Sequence, residues 1–170
     1  LWAEAGHEVA FGQYVYQAEG TPEAPACGVE LVRSLHNIGV RGENFEVLFS
    51  VLNGGLVSYK YAGREMIEAI PKPNFWRAPT DNDCGSLMQM RYAQWKIASM
   101  YASHKDYRKG MYGPANAPET TVHENSVEVA FTYILPTTPA SECRLAYEVT
   151  GDGRVKTTLT YDPVKELGDM

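Results

Sequence analysis

The chain has 170 residues, a length typical of one domain or of one domain with an additional segment. Its formal charge of −6 argues against nucleic acid as a main partner, because phosphate binding needs clustered Lys and Arg. No apolar run approaches the roughly 20 residues that span a bilayer, and no signal peptide is visible, so no membrane partner is expected. The cysteines, Cys27, Cys84 and Cys143, form no CxxC pair, which favours reduced thiols in a cytoplasmic protein.

The N-terminal residues predict a domain boundary. A strand-like stretch runs from Glu8 to Tyr16 without partner strands nearby in the sequence, and one strand cannot form a domain. We therefore interpret residues 1–17 as the last strand of a preceding domain. Residues 18–28 contain two prolines and two glycines, a composition that predicts a linker. Residues 29–170 then belong to a second domain.

That second domain shows apolar residues at period two, the pattern of strands that bury one face. The residues that share a face in each run are Phe45, Val47, Phe49 and Val51; Val127, Val129, Phe131, Tyr133 and Leu135; Leu145, Tyr147 and Val149; and Val155, Thr157, Leu159 and Tyr161. Asn53-Gly54-Gly55 and Gly151-Asp152-Gly153 are typical of tight hairpin turns. The fold class predicted is an all-β antiparallel sandwich.

Two segments interrupt this pattern. Pro71 to Gly85 predicts a long loop, and loops of this length inside a domain are usually functional or disordered. Ser86 to Ser99 predicts one short helix, with Ser86 as its N-cap. One face of that helix is expected to pack on the sheet, since four residues recur at i, i+4, i+7 and i+11. These are Met88, Tyr92, Trp95 and Ser99.

The loop carries the candidate site residues Arg77, Asp81, Asn82, Asp83 and Gly85. A glycosidase acid and base would need carboxyls opposed across a sugar, which a spacing of i, i+2 on one loop rarely gives. Calcium coordination by Asp-Asn-Asp is a second interpretation. The favoured interpretation is structural, with side chains bonding loop amides and Arg77 pairing with one carboxylate. A further interpretation is that these loop residues have an indirect role at the edge of an active site.

The aromatic residues of the chain have two interpretations. They suit either strand packing or sugar stacking.

Residues 73–83, with the sequence PNFWRAPTDND, closely resemble a hallmark of the large bacterial β-galactosidases of glycoside hydrolase family 2. Weaker matches occur in the expected order at 2–7, 54–59 and 95–96. The resemblance implies that residues 1–17 end an immunoglobulin-like domain. It also implies that residues 29–170 form the N-terminal part of a C-terminal sandwich similar to galactose mutarotases.

The resemblance further implies a function for the intact enzyme, the retaining hydrolysis of terminal non-reducing β-D-galactosides. Its two catalytic glutamates lie in a TIM barrel that this segment does not include. We therefore expect no catalytic residue and no metal ligand here. Arg77, Asp81, Asn82 and Asp83 are expected at the wall of the substrate pocket. Gly85, whose backbone is permissive, is expected to act as a hinge of a mobile loop.

The resemblance also implies partners. These are the remainder of the β-galactosidase chain, with its TIM barrel and the rest of the sandwich, and a galactoside substrate in an oligomeric enzyme. No cofactor is expected in this segment, while Mg²⁺ and Na⁺ are compatible with the whole enzyme. A partial sandwich should leave strand edges and an apolar face uncovered.

Two alternatives remain open. A free-standing carbohydrate-binding β-sandwich module would show sugar-dependent quenching of Trp76 or Trp95. A mutarotase-like enzyme would need paired histidines and a catalytic glutamate, which the sequence does not let us assign.

Overall fold

The computed structural model describes residues 3–4, 6–8, 10–16, 28–104 and 118–167. Except for Gly28, the predicted linker at 18–28 lies outside the described residues. Residues 10–16 are exposed and pair with no strand of the described chain. The rings of Tyr14 and Tyr16 stack 6.4 Å apart, as expected of extended backbone with side chains i and i+2 on one side. The assignment of residues 1–17 to a preceding domain stays a prediction.

The first sheet is an antiparallel meander of five strands in sequence order. Its strands are β1 (Glu30–Arg33), β2 (Asn37–Arg41), β3 (Phe45–Ser50), β4 (Gly55–Tyr61) and β5 (Arg64–Glu65). The hairpin predicted at Asn53-Gly54-Gly55 is confirmed. It joins β3 to β4, and Gly54 has the positive φ, +69°, that glycine adopts without steric cost.

The second sheet has a long antiparallel hairpin at its centre. Its strands are β6 (Ser103–His104), β7 (Glu119–Val122), β8 (Ser126–Leu135), β9 (Ser141–Thr150) and β10 (Val155–Tyr161). β9 lies between β8 and β10, while β6 and β7 both pair with the other edge of β8. The predicted turn between β9 and β10 is also confirmed, with Gly153 at φ +85°.

The core lies between the two sheets. Every second residue of β3, β8 and β9 is buried, with Ala130 and Ala146 buried in addition, and the sandwich prediction is confirmed. Phe49, Phe131 and Tyr147 form its aromatic centre, with ring centroids 5.4 to 6.4 Å apart. The prediction for β10 was only partly right. Thr157 and Leu159 are exposed on this edge strand, whereas Val155 and Tyr161 are half-buried.

The helical segment differs from its prediction. It consists of three short helices, α1 (Asp81–Gly85), α2 (Met88–Arg91) and α3 (Ala93–Tyr101), rather than one. Ser86 is the C-cap of α1 and not the N-cap of a helix, because the N-cap is Thr80, six residues earlier than expected. Leu87 then adopts a left-handed conformation, φ +58°, which separates α1 from α2.

The predicted inward face is confirmed in part. Trp95 is buried and Tyr92 packs against the core, whereas Met88 lies in the separate helix α2 and is only half-buried. A short 3-10 helix, Lys165–Leu167, ends the described chain. None of the helices described is long and apolar enough to cross a membrane.

Candidate functional site

The loop that carries the candidate residues is anchored to the sandwich at its start. The carbonyl of Pro71 accepts a hydrogen bond from the Tyr147 hydroxyl at 3.4 Å. Ile70 lies so close to Gly55 that a Cβ there would come within 2.7 Å of the Ile70 Cγ2 atom. Pro73 is buried. The beginning of the loop therefore has a fixed path across the sheet.

Three aromatic rings hold the middle of the loop. Phe75, Trp95 and Tyr161 lie with their centroids 5.6 to 5.8 Å apart, in tilted and edge-on contacts. The Ser99 hydroxyl accepts a bond from the Phe75 amide at 2.7 Å and donates to the Trp95 carbonyl at 2.9 Å. Trp95 is only 2% exposed, so its role is packing and not sugar stacking.

Arg77 and Asp83 meet at the end of the loop. The guanidinium donates from one nitrogen to Oδ2 of Asp83 at 2.5 Å and from the other to Oδ1 at 3.0 Å. Arg77 also donates to the Ala78 carbonyl at 3.1 Å. The expected pairing of Arg77 with one carboxylate is confirmed, and this two-point geometry fixes the orientation of both side chains.

The same carboxylate completes a capping box with Thr80. Asp83 Oδ2 accepts from the Thr80 amide at 2.7 Å and from its hydroxyl at 2.8 Å, and the Asp83 amide donates to the Thr80 hydroxyl at 3.4 Å. This arrangement satisfies amides that would otherwise lack partners at a helix start. It explains why α1 begins within the predicted loop.

These contacts determine the charge of Asp83. The hydrogen bonds from Arg77, and then those from Thr80, hold the pKa of the Asp83 carboxyl far below its usual range. The same carboxylate raises the pKa of Arg77. Asp83 is therefore ionised at neutral pH and cannot serve as a proton donor there.

The other candidate residues lie around this ion pair. Asp81 and Asn82 are exposed in the first turn of α1, and their side chains make no hydrogen bond within the described part of the chain. Gly85 ends α1, and a Cβ added there would meet open space. The left-handed residue of this region is Leu87, not Gly85. The pocket-border and hinge roles remain predictions.

The interpretation of residues 81–83 as a calcium site is not supported by this geometry. Within residues 28–104 and 118–167 and the described N-terminal residues, no three His, Cys, Asp or Glu side chains converge as a metal site would require. Both oxygens of Asp83 already accept hydrogen bonds from Arg77 and Thr80, which leaves the Asp-Asn-Asp sequence without the ligand set of a calcium site.

Sequence reasoning missed two residues of this region. Thr80 was not identified as a cap, although Thr80-x-x-Asp83 is a capping-box pattern visible in the sequence. Ser99 was assigned to a helix face, but its bond to the Phe75 amide joins residues 24 apart and has no local signal.

The fold and the site together define the class of protein to which this chain belongs. The molecule is an antiparallel β-sandwich whose long, ordered loop ends in an arginine–aspartate ion pair. Residues 41–169 match the protein-family model described as "Beta galactosidase small chain". The chain belongs to this family.

Named relatives agree with this assignment. The chain is 40% identical to a "Beta-galactosidase" of Halalkalibacterium halodurans over 97% of its length, and 33% identical to one of Clostridium acetobutylicum over its whole length. It covers only 15% and 18% of those proteins. A "Beta-galactosidase small subunit" of Latilactobacillus sakei is 30% identical over 73% of this chain and 42% of that protein.

Proposed function

We propose that this chain is a non-catalytic sandwich segment of a glycoside hydrolase family 2 enzyme that hydrolyses terminal non-reducing β-D-galactosides. The family match over residues 41–169 is the observation that carries the proposal. The chain spans 15% to 18% of the first relatives, so the catalytic residues are assigned to the part of the enzyme outside this segment. The match favours this function over a free-standing carbohydrate-binding module.

The chemistry of the loop supports a non-catalytic role. A retaining glycosidase needs a nucleophile and a separate acid/base about 5 Å apart across the scissile bond. Asp83 is held by Arg77 and Thr80 and stays ionised, and Asp81 lies two residues away at the same helix end. The two carboxyls therefore do not occupy opposed positions, and Asp83 cannot donate a proton at neutral pH.

The loop is well suited to border a pocket. The Arg77–Asp83 pair and the Phe75–Trp95–Tyr161 contacts fix the backbone on either side of Thr80. Asp81 and Asn82 are therefore presented on a defined surface with their polar atoms exposed. We propose that these two side chains face the substrate side, that Arg77 and Asp83 hold the wall in shape, and that Gly85 lies at the loop's hinge.

The first test compares two proteins. The purified 170-residue chain should not cleave an aryl β-galactoside, whereas the complete reading frame that contains it should. Turnover by the chain alone would contradict the non-catalytic assignment. Failure of the complete protein to cleave any β-galactoside would contradict the parent activity.

The second test concerns the pocket border. In the complete enzyme, Asp81→Asn and Asn82→Ala should raise KM for the galactoside by roughly threefold to tenfold, the equivalent of about one hydrogen bond, with a smaller effect on kcat. Glu46→Gln on the exposed side of β3 is the matched control and should change neither constant. An unchanged KM in both loop variants would remove Asp81 and Asn82 from the pocket border.

The remaining assignments follow from the same proposal. The partners are the rest of the β-galactosidase chain and the galactoside, within an oligomeric cytoplasmic enzyme. Cys84 and Cys143 are free thiols, which is consistent with a reducing compartment.

Any Mg²⁺ or Na⁺ of the enzyme is assigned to residues outside this segment. EDTA should therefore leave the thermal midpoint of the 170-residue chain unchanged.

A further inference from the structure

The two sheets form an open cavity of about 390 Å³ at one end of the sandwich. Its walls are the turn between β2 and β3, the end of β4 and the turn between β9 and β10. The lining side chains include Glu43, Asn44, Phe45, Tyr61 and Asp152, and none of them belongs to the loop that carries the candidate site. Small-molecule sites usually have a volume of about 300–1,000 Å³, so this cavity is large enough for a small ligand.

Contacts between the two sheets hold the walls of this cavity in place. The Tyr59 hydroxyl, on β4, donates to the Gly153 carbonyl in the β9–β10 turn at 2.6 Å. The rings of Phe45 and Tyr61 lie against the same glycine, since a Cβ there would come within 2.8 Å of the Phe45 Cδ1 atom and 3.0 Å of the Tyr61 Cε2 atom. The cavity is therefore formed before any ligand enters, and a ligand orders few additional groups when it binds.

Three polar side chains of the cavity have unused hydrogen-bonding capacity. Glu43, Asn44 and Tyr61 make no side-chain hydrogen bond within the described part of the chain. The Glu43 carboxylate can only accept, whereas the Asn44 amide and the Tyr61 hydroxyl can both donate and accept. The cavity therefore offers donors and acceptors side by side, next to an aromatic ring that is 43% exposed.

The charges of the cavity exclude two classes of ligand. The Thr150 hydroxyl and then Arg154 bond to Asp152 and hold its pKa below the usual value, so this carboxyl is ionised at neutral pH. An anionic ligand would meet both this carboxylate and Glu43, which disfavours phosphates and carboxylates. A divalent metal ion needs several converging ligands, and the described residues contain no group of three His, Cys, Asp or Glu side chains that could hold one.

A neutral ligand rich in hydroxyl groups matches the remaining chemistry. Sugar hydroxyls can donate to Glu43 and accept from Asn44 or Tyr61, and the Tyr61 ring offers a flat apolar face to the C–H face of a sugar. A cationic ligand would use Glu43 and the ring face but would leave the Asn44 amide without a partner.

We propose that this cavity is a saccharide-binding site that takes one neutral hexopyranoside ring and does not cleave it. The inference goes beyond the proposed function, because it depends on the side chains of the cavity and not on the hydrolysis of galactosides. It gives the sandwich a ligand of its own at the end formed by the β2–β3 and β9–β10 turns.

Hydrogen–deuterium exchange of the complete enzyme, followed by mass spectrometry, tests the site. The probe is methyl 1-thio-β-D-galactoside, a hexopyranoside whose glycosidic sulfur resists hydrolysis. At a probe concentration about ten times its Kd, amides in peptides covering 42–46 and 150–154 should exchange about tenfold more slowly. The exposed turn at 34–36, between β1 and β2, is the internal control and should be unchanged. Unchanged exchange in both cavity peptides at the highest soluble probe concentration would overturn the proposal.

A pair of variants of the complete enzyme assigns the effect to the cavity. Glu43→Ala removes an exposed side chain that has no hydrogen-bond partner in the described chain, so the fold should persist. It should raise the apparent Kd read from the two cavity peptides by roughly threefold to tenfold, the equivalent of about one hydrogen bond. Glu46→Ala, on the exposed side of β3, is the matched control and should leave that Kd unchanged. Equal Kd values for the two variants would overturn the proposal.

A cationic probe distinguishes the two ligand classes. Choline chloride, in the same concentration series, should not slow exchange in either cavity peptide. Slower exchange with choline and not with the thiogalactoside would assign the cavity to a cation and overturn the proposal. A complete enzyme that shows the expected protection but cleaves no β-galactoside would contradict the proposed function and leave this inference in place.

Discussion

Arg77 and Asp83, six residues apart, form a two-point ion pair that joins the end of the long loop to the first turn of α1. The carboxylate at its centre also accepts two bonds from Thr80. One aspartate therefore serves both the ion pair and the helix cap. Loss of its charge should affect the loop and the helix together.

The stability of the folded chain should depend on pH through the ionisation of the Asp83 carboxyl. The pKa of Asp83 is lowered in the folded protein, whereas in the unfolded chain it is about 3.9. Its contribution is fully present above about pH 4 and is lost as pH falls towards the folded value. The difference in urea midpoint between the wild type and Asp83→Asn should thus be largest near neutral pH and shrink below about pH 4.

Glu46→Gln is the control for that series. Glu46 pairs with Arg41 at 3.7 Å, and both side chains are more than half exposed, so this pair should contribute little at any pH. A constant difference between the wild type and Asp83→Asn from pH 7 to pH 2.5 would contradict the assigned role of the Asp83 charge.

Replacing the cap residue should destabilise the chain measurably. Thr80→Ala removes the hydroxyl that accepts the Asp83 amide and should lower the free energy of unfolding by about 1 kcal/mol, within the usual range of 0.5–2 kcal/mol. Thr80→Ser keeps the oxygen and should remain within about 0.5 kcal/mol of the wild type. Equal stabilities for the Ala and Ser variants, measured by urea unfolding, would argue against the capping box.

Much of the sandwich could be predicted because its strands bury one face almost completely. Val47 and Phe49 in β3 are separated by the exposed Leu48, and Tyr133 and Leu135 in β8 by the half-buried Ile134, and this period is readable in one sequence. β6 has two residues and carries no period of its own, so only its pairing with β8 defines it. Thr157 and Leu159 follow the period but lie on an edge strand, where tertiary position overrides the pattern.

The site was predictable only in part. The Arg77–Asp83 pair follows from opposite charges on one short loop, and it was expected. The start of α1 was not expected, because Thr80-x-x-Asp83 and Ser86-x-x-Gln89 are both capping-box patterns and the local sequence does not rank them. The contact of Phe75 with Tyr161 joins residues far apart in the chain, and it arises from packing that no local pattern encodes.

A substitution in one turn of the first sheet should stabilise the protein. Ala62 has φ +48° and Gly63 φ +78° between β4 and β5, the two positive angles of a type I′ turn. An L-residue such as alanine pays a steric cost there, while asparagine tolerates the left-handed region. Ala62→Asn should raise the free energy of unfolding by roughly 0.5–1 kcal/mol, and Gly63→Ala should lower it. A destabilised Ala62→Asn variant in urea unfolding would contradict this account.

The final prediction concerns Tyr133, which is 2% exposed and donates its hydroxyl hydrogen to the Gly54 carbonyl across the sandwich. Tyr133→Phe leaves that carbonyl without its partner and should cost about 1 kcal/mol at pH 7. Burial also raises the pKa of Tyr133 to about 12. In the unfolded chain the pKa of a tyrosine is about 10. The stability gained by keeping this phenol neutral is therefore present below about pH 10 and is lost as pH rises through about 12.

The wild type should consequently lose stability faster than Tyr133→Phe between pH 10 and 12, so the difference between them narrows or reverses. Cys143, whose pKa burial raises to about 11, titrates in both proteins and largely cancels from the comparison. Tyr101→Phe, at a site 65% exposed, is the control and should leave the urea midpoint unchanged throughout. Parallel pH curves for the wild type and Tyr133→Phe would show that the Tyr133 phenol does not titrate from a buried state.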